Sequence, residues 1–376
     1  MTSRRPIRVL IVDDAVVIRR IVSDVLGADP DIEVAGTAAN GRIALQKITQ
    51  VNPDIITMDV EMPEMDGLQA LKEIRKTYKR LPVIMFSTLT ERGASATIEA
   101  LTLGASDYVT KPANIGSVGM AQQRLRDELI PKIKSLCQTA APQPPAALPF
   151  AAPRPAVAPP PARPGVASPA GPDAVDIVTI GVSTGGPNAL AEVMPHLPLD
   201  LPVPIVLVQH MPPMFTKFLA DRLNSQSPLE ILEARGGEEL MPGHVYIAPG
   251  DYHLTVVRHG PRVVTALNQY PPENSCRPAV DVLFRSVAEV YHGRTLAIVM
   301  TGMGQDGLRG CEDIKRAGGS VVVQDEASSV VWGMPGFVAR AGLADRVLPL
   351  SDMASELLRR VMAHRPRVGL AVAARG

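Results

Sequence analysis

The sequence contains few cysteines, few aromatic residues and no excess of charge of either sign. Its three cysteines, Cys137, Cys276 and Cys311, lie far apart in the 376 residues and in no metal-ligand spacing, so neither a disulfide framework nor a structural zinc site is expected. The 38 basic residues balance 38 acidic ones, and this balance does not favour binding to nucleic acid. No apolar run approaches the roughly 18 residues of a membrane helix, and no cleavage pattern follows the N-terminal arginines. We therefore expect a cytoplasmic protein that does not insert into membranes.

Proline, by contrast, is abundant in one segment. Residues 140–172 hold 12 prolines and 11 alanines among 33 positions, a composition that cannot build a hydrophobic core. Such a segment acts as a semi-rigid tether, which permits contact between the domains that it joins but does not impose an orientation on them. The sequence therefore predicts an N-terminal domain at 6–136, a linker at 137–172 and a C-terminal domain at 173–368.

Strand and helix patterns alternate in the N-terminal domain. Five short apolar runs read as strands, at 8–12, 33–38, 54–59, 82–87 and 107–111. Helical patterns lie between them, such as 15–26, where Val17, Ile21 and Val25 recur four apart. Five βα units predict a flavodoxin-like (βα)5 fold with a parallel sheet, in which chemistry gathers beyond the carboxyl ends of the strands.

Those strand ends carry charged and hydroxyl side chains. Asp13 and Asp14 follow the first strand, and Asp59, Ser87 and Lys111 end the third, fourth and fifth. Three converging carboxylates suit a hard cation such as Mg²⁺, and a carboxylate beside Mg²⁺ and a lysine can accept a phosphoryl group. Each aspartate alone could equally be a solvated loop residue or a helix cap. The ordered set favours a phosphorylation site.

The motifs "LIVDD", "MDVEMPEMDG", "MFST" and "YVTKP" stand in the order found in receiver domains of two-component response regulators, which this domain resembles. The resemblance implies that Asp59 is the phosphoacceptor and that a histidine kinase is the phosphodonor. It also implies that the Glu61 carbonyl joins Asp13, Asp14 and Asp59 in holding Mg²⁺. Ser87, Lys111 and Tyr108 would be the residues that respond to phosphorylation.

The C-terminal domain repeats the alternation. Strand-like runs occur at 176–181, 204–209, 244–249, 294–300 and 318–325, and a helical pattern covers 279–291. The class predicted is a doubly wound, mostly parallel α/β domain. The segment "HVYIAPGDYHLTVV" is predicted as a β-hairpin that turns at "PGD".

The stretch "GVSTGG" (181–186) ends the first of these runs. It does not fit a dinucleotide fingerprint, since Ser183 occupies the second glycine position, nor a P-loop, since Pro187 follows Gly186. It fits a G-x-S-x-G nucleophile turn. A glycine-rich phosphate cradle and a tight turn without chemistry remain the alternatives at this point.

A serine nucleophile needs a base, and the neighbouring runs supply one. His210 directly follows 204–209, and Asp306 follows 294–300, so both would leave the same edge of the sheet as Ser183. This set meets the needs of a Ser-His-Asp relay, and the glycines around Met303 would allow backbone N–H groups to approach an oxyanion. The order Ser, His, Asp differs from that of α/β-hydrolases.

The segments "GVSTGGPNAL", "VLVQHMPPMFTKFLADRLN", "RPAVDVLFRSVAEVY" and "VMTGMGQDGLRG" resemble the catalytic domain of chemotaxis protein-glutamate methylesterases. Ala279, where serine is frequent, and "GMPGFVAR" depart from the family pattern. The resemblance implies the triad Ser183, His210 and Asp306, with the Met303 backbone at the oxyanion. It implies hydrolysis of glutamate γ-methyl esters on chemoreceptors (methyl-accepting chemotaxis proteins), deamidation of receptor glutamines and no cofactor in the esterase site. The alternatives are an esterase for other acyl substrates and a response regulator that acts only by docking.

Overall fold

The structure is a computed structural model, which describes residues 5–111, 118–138 and 174–363. Residues 139–172 of the predicted linker lie outside the described residues. The described chain contains two α/β units. Each is built on a parallel sheet.

The first unit is a five-stranded parallel sheet with the order β2-β1-β3-β4-β5. Its strands are β1 (Ile7–Val12), β2 (Ile32–Ala38), β3 (Ile55–Asp59), β4 (Val83–Ser87) and β5 (Asp107–Thr110). Its helices are α1 (Val16–Gly27), α2 (Gly41–Val51), α3 (Gly67–Thr77), α4 (Glu91–Thr102) and α5 (Val118–Gln138). The predicted receiver-like fold is thereby confirmed.

Local sequence explains where these helices begin. Asn40 and Thr90 accept hydrogen bonds from backbone N–H groups in the first turns of α2 and α4, and Asp66 forms a capping box with Gln69 at α3. In α1, Ile21 and Val25 are buried. Val17, which shares their spacing of four, is 65% exposed.

The second unit is a seven-stranded parallel sheet with the order β14-β13-β12-β6-β7-β9-β8. Its strands are β6 (Ile177–Val182), β7 (Ile205–Gln209), β8 (Glu230–Glu233), β9 (His244–Ile247), β12 (Thr295–Val299), β13 (Ser320–Gln324) and β14 (Arg346–Leu348). An antiparallel hairpin, β10 (His253–His259) and β11 (Arg262–Asn268), is attached. The helices are α6 (Gly186–Val193), α7 (Phe215–Gln226), α8 (Val280–Tyr291), α9 (Leu308–Arg316), α10 (Met334–Arg340) and α11 (Leu350–Met362).

The position of the predicted hairpin was wrong. Residues 244–247 form β9, which pairs with β7 and β8 in the main sheet. The hairpin begins at His253 and turns at 260–261, where Gly260 has a positive φ of 61°. The edge strands β8 and β14 were not predicted, because their short, partly exposed sequences carry too little periodic apolar signal.

The two units pack against each other through the α4 and β5 side of the first sheet. Helix α4 contacts α6 and α7. The Tyr108 ring stacks on Phe215, with 5.1 Å between centroids and 12° between planes. Both rings are buried. None of the helices in the described ranges is both long and apolar enough to span a membrane.

Candidate active site

Three neighbouring strands of the seven-stranded sheet lead to the predicted catalytic residues. Strand β6 lies between β12 and β7, and Ser183, Asp306 and His210 follow these three strands. The strands themselves are buried along their whole length. The three residues leave the carboxyl ends of these strands, and the strand that leads to Ser183 is the middle one of the three.

The turn that holds Ser183 depends on glycine. Gly185 has a φ of 78°, and a side chain on Gly302 would come within 2.9 Å of the Ser183 Cβ atom. The backbone N–H of Ser183 donates to the Thr301 carbonyl at 3.0 Å, and the Ser183 carbonyl accepts from Gly186 at 2.8 Å. These bonds fix the serine against the loop that follows β12. Within the described residues, no hydrogen bond joins the Ser183 hydroxyl to His210.

His210 and Asp306 are joined directly. His210 Nε2 lies 2.8 Å from Asp306 Oδ2, and Nδ1 faces Cys276 Sγ at 3.7 Å. Burial lowers the pKa of His210, but the Asp306 hydrogen bond and the Cys276 contact raise it more, so that the net shift is upward. If Nε2 stays on Asp306, Nδ1 is the nitrogen left to take a proton.

Asp306 is almost completely enclosed by donors. Besides His210, it accepts hydrogen bonds from the Asn274 side chain and from the backbone of Val280, Asp281 and Gly307, at 2.7–3.1 Å. Burial raises the pKa of Asp306, yet the bonds from His210 and the backbone outweigh burial and lower it. The carboxylate is thus kept ionised and fixed in orientation.

Sequence reasoning missed three residues of this site, Asn274, Cys276 and Asp281. Asn274 bridges the Asp306 and Asp281 carboxylates at 2.9 and 2.8 Å. Asp281 in turn accepts from the backbone N–H groups of Gly307 and Gly310, and so holds the loop after Asp306. Burial raises the pKa of Asp281, and the neighbouring Asp306 carboxylate raises it further. Only the position of Asp281 at the start of a predicted helix could have drawn attention to it.

The predicted oxyanion contact lies on the loop beside Ser183. The Gly302 carbonyl accepts from Gly333 and Met334, which anchors this loop, and Met303 is half-buried. Among the backbone bonds of the described chain, none is donated by the Met303 N–H. A free N–H suits the role that the sequence predicts, and that role stays a prediction.

The carboxyl edge of the five-stranded sheet holds the other predicted set. Lys111 Nζ lies 3.0 Å from Asp13 Oδ2 and 2.7 Å from Asp59 Oδ2. The ligand oxygens of Asp13, Asp14 and Asp59 lie within 4.8 Å of one another. Asp13 Oδ2 is buried, and Lys111 is the cation that pairs with it. Burial raises the pKa of Asp59 to about 6, although Lys111 opposes the rise. Three carboxylates clustered this closely, with one lysine among them, supply the oxygen ligands that a hard divalent cation prefers.

The remaining predicted receiver residues surround this edge. The Glu61 side chain pairs with Arg92 at 3.0 Å, and its backbone N–H donates a long hydrogen bond of 3.4 Å to Asp59 Oδ1. Ser87 is buried and donates to the Gly93 carbonyl at 2.9 Å, in the first turn of α4. Tyr108 lies under Phe215, with Lys132 Nζ 5.2 Å from its ring centre. Tyr108 therefore contacts the second unit directly.

The first unit covers the Ser183 turn. The Thr184 hydroxyl donates to Asp107 Oδ2 at 2.7 Å, and Lys132 Nζ lies 3.0 Å from the same oxygen. Tyr108 and Lys132 line a cavity with Ser183 and His210, and its volume is about 20 Å³. Such a cavity has room for about one water molecule.

Comparison with known proteins agrees with this two-part organisation. Residues 9–119 match the response regulator receiver domain family, and residues 178–357 match the CheB methylesterase family. The catalytic domain of a CheB methylesterase from Thermotoga maritima, a solved structure, is 47% identical, with a TM-score of 0.49, and covers 50% of this chain and 98% of its own.

Full-length relatives give the same result. A protein-glutamate methylesterase/protein-glutamine glutaminase from Trichodesmium erythraeum is 53% identical over 94% of this chain and 99% of its own length. One from a Nocardioides species is 55% identical over 96% of this chain and 97% of its own. The chain therefore belongs to the protein-glutamate methylesterase/protein-glutamine glutaminase family, with a receiver domain preceding its CheB methylesterase domain.

Proposed function

We propose that the chain is a cytoplasmic, phosphorylation-activated serine esterase that hydrolyses glutamate γ-methyl esters on chemoreceptors and deamidates particular receptor glutamines. It would act in chemotaxis adaptation or a related chemosensory pathway. We further propose the domain bounds 6–136 and 173–368, joined by a linker at 137–172 whose first two residues end helix α5. The names of the relatives support the reaction, and the small size of the cavity over Ser183 supports its regulation.

In the proposed reaction, the Ser183 hydroxyl attacks the ester carbonyl and gives its proton to His210. With Nε2 held by Asp306 at 2.8 Å, Nδ1 is the receiving nitrogen, and Asp306 stabilises the imidazolium that forms. The Met303 N–H would bind the oxyanion. His210 returns the proton to the departing methanol, and water then hydrolyses the acyl-serine. A glutamine amide passes through the same intermediate and releases ammonia.

In the first unit, Asp59 would accept the phosphoryl group from a histidine kinase. Asp13, Asp14, Asp59 and the Glu61 carbonyl would hold Mg²⁺, which neutralises charge on the transferring oxygens. Lys111 already contacts both Asp13 and Asp59, so it can bind a phosphoryl oxygen at that position. Ser87 would exchange its bond to Gly93 for one to the phosphoryl group.

The observation that carries the regulatory proposal is the closure of the site. Asp107, Tyr108 and Lys132 lie over the Ser183 turn, and the 20 Å³ cavity beneath them cannot admit a methyl-glutamyl side chain. Substrate can reach Ser183 only after this face moves away. The first unit therefore inhibits the second by occupying its active-site edge.

Two contacts connect phosphorylation to this face. The Ser87 hydroxyl holds the Gly93 carbonyl at the start of α4, and α4 packs against α6 and α7. Tyr108 stacks on Phe215 at the start of α7. Movement of Ser87 and Tyr108 towards a phosphoryl group on Asp59 would loosen both contacts. A shift from a hundredfold bias towards the closed state to a hundredfold bias towards the open state needs about 5.5 kcal/mol, much of which new charged hydrogen bonds can supply.

The test measures methanol release from methylated chemoreceptors with and without a kinase or small phosphodonor. Phosphodonor and Mg²⁺ should raise the rate, whereas Asp59→Asn should lose both labelling and stimulation. Asp24→Asn, which alters an exposed carboxylate on α1, is the matched control and should respond normally. Stimulation or stable labelling that persists in Asp59→Asn would contradict the proposal. A preparation that cleaves small esters but never methylated receptor would contradict the substrate.

A further inference from the structure

Cys276 occupies a defined position beside the histidine of the esterase site. Residues 273–276 form a tight turn, in which Glu273 and Cys276 exchange backbone hydrogen bonds at 2.9 and 3.1 Å. Asn274 and Ser275 have positive φ angles of 53° and 62°, as a type I′ turn requires. The next residue, Arg277, is tied to Asp251 by a hydrogen bond of 3.0 Å. These bonds fix the backbone before and after Cys276, and so define the position from which its thiol extends.

The spacing of Cys276 and His210 matches that of two ligands on one metal ion. A tetrahedral zinc with a Zn–S bond of about 2.3 Å and a Zn–N bond of about 2.0 Å places the two ligand atoms about 3.5 Å apart. Cys276 Sγ and His210 Nδ1 are 3.7 Å apart. Ligand atoms of Cys276, His210 and Asp306 all lie within 4.8 Å of one another.

The surroundings of His210 also suit metal binding. A metal-bound histidine usually donates its other ring N–H to a carboxylate, which fixes the tautomer and the ring orientation. Here Nε2 faces Asp306 at 2.8 Å. Asp306 already accepts four further hydrogen bonds. It would therefore stay bonded to the His210 ring and orient it, and would not become a ligand of the metal.

We propose that Cys276 and His210 form a binding site for a thiophilic divalent metal such as Zn²⁺, and that occupancy of this site inhibits the esterase. The site differs in chemistry from the Asp13, Asp14 and Asp59 cluster, because thiolate and imidazole prefer zinc whereas carboxylates suit magnesium. Cys276 is half-buried, so the metal can reach it from solvent. The remaining coordination positions would be filled by water.

Inhibition follows because the proposed reaction uses Nδ1 of His210 as the proton acceptor. A metal bound to this nitrogen prevents it from taking the proton of Ser183. This consequence rests on the proposed role of His210 as the base. Metal binding itself does not, because it needs only the positions of the thiol and the ring.

The experiment uses the full chain in excess Mg²⁺, which occupies the carboxylate cluster, and in a reductant that contains no thiol. Co²⁺ is titrated and the thiolate-to-cobalt charge-transfer absorption is recorded, after which Zn²⁺ is titrated into the methanol-release assay. The variants are Cys276→Ser, which keeps size but removes the thiolate, and Cys137→Ser, which removes a half-buried thiol elsewhere.

The wild type should gain one equivalent of the charge-transfer band, which Zn²⁺ displaces, and Zn²⁺ should slow methanol release. Cys276→Ser should lose the band. Its Zn²⁺ inhibition constant, determined from rates normalised to its own uninhibited rate, should be at least about tenfold higher than that of the wild type. Cys137→Ser should keep the band and the wild-type inhibition constant. Absence of the band in the wild type, or its persistence in Cys276→Ser, would overturn the proposal. A Cys276-dependent band without inhibition would support the site and would instead contradict His210 as the base.

Discussion

The carboxyl edges of the two parallel sheets use the same geometry for opposite electrostatic purposes. The edge of the five-stranded sheet concentrates like charge, since Asp13, Asp14 and Asp59 have their oxygens within 4.8 Å of one another. The edge of the seven-stranded sheet carries Asp306 behind His210, with the uncharged Ser183 between their two strands. In the proposed function, one edge would bind a cation and a phosphoryl group, and the other would transfer one proton.

The two edges differ in the hydrogen bonds and ion pairs that their buried carboxylates, Asp306 and Asp59, receive. Asp306 accepts five hydrogen bonds, and its pKa is lowered despite burial. Asp59 depends mainly on Lys111, and burial raises its pKa to about 6. A carboxylate enclosed by donors serves as a fixed support. A carboxylate with unused oxygen capacity is open to a ligand.

The largest expected effect concerns the edge of the seven-stranded sheet. Ser183→Ala should lower turnover by about five to six orders of magnitude, because nucleophile and base act as one unit. His210→Ala should be nearly as damaging, and the double variant hardly worse than either. Asp306→Asn should cost less, at roughly four orders. Methanol release from methylated receptor measures all four variants.

The control for this series is Ser225→Ala, which removes an exposed hydroxyl at the end of α7 and should leave turnover unchanged. If Ser183→Ala retained more than about a hundredth of wild-type turnover, the serine would not be the nucleophile. The two edges would then not differ in the way described.

A smaller effect is expected where the two units meet. Tyr108→Ala removes the ring that stacks on Phe215, and an aromatic pair contributes about 0.5–1.5 kcal/mol beyond its buried area. The unstimulated esterase rate should therefore rise about two- to tenfold. Tyr108→Phe keeps the ring and is the matched control, which should stay near the wild-type basal rate. An unchanged or lower basal rate in Tyr108→Ala would argue against inhibition by docking.

The smallest effect concerns Glu356 on α11, which belongs to neither edge. Arg359 and Arg360 bind Glu356 at 2.7 and 2.9 Å. The hydrogen bond from Arg359 outweighs burial, and the pKa of Glu356 falls from 4.5 to about 2. Because the folded pKa is the lower one, the stabilisation is complete above about pH 4.5 and is lost as the pH falls towards 2.

Since Arg359 is well exposed, Glu356→Gln should cost only about 1 kcal/mol at pH 7, or a Tm shift of about 2–4 °C. In thermal unfolding, the difference in Tm between variant and wild type should be smaller at pH 4 than at pH 7, and catalysis should be unaffected. Glu289→Gln, at an exposed position on α8, should show no such pH dependence. A difference in Tm that grew as the pH fell would contradict the lowered pKa of Glu356.

Much of the fold could be predicted because the decisive patterns are local. Buried parallel strands are continuous apolar runs, and the residue after each run marks a strand end. Asp59, Ser183, His210 and Asp306 were identified in this way. Strands β8 and β14 were missed because partly exposed edge strands lack that pattern, and the hairpin was misplaced because β9 resembles a hairpin arm until its pairing with β7 and β8 is known.

By itself, the sequence determined the two parallel sheets and the chemical groups at their carboxyl edges, because the burial of each strand depends on a pattern within a few residues. Only the tertiary structure decided which groups meet. Asn274, Cys276 and Asp281 reach His210 and Asp306 from a turn and a helix start, and Tyr108 of the first unit lies on Phe215 of the second. These contacts depend on packing between distant segments, for which one sequence carries no local signal.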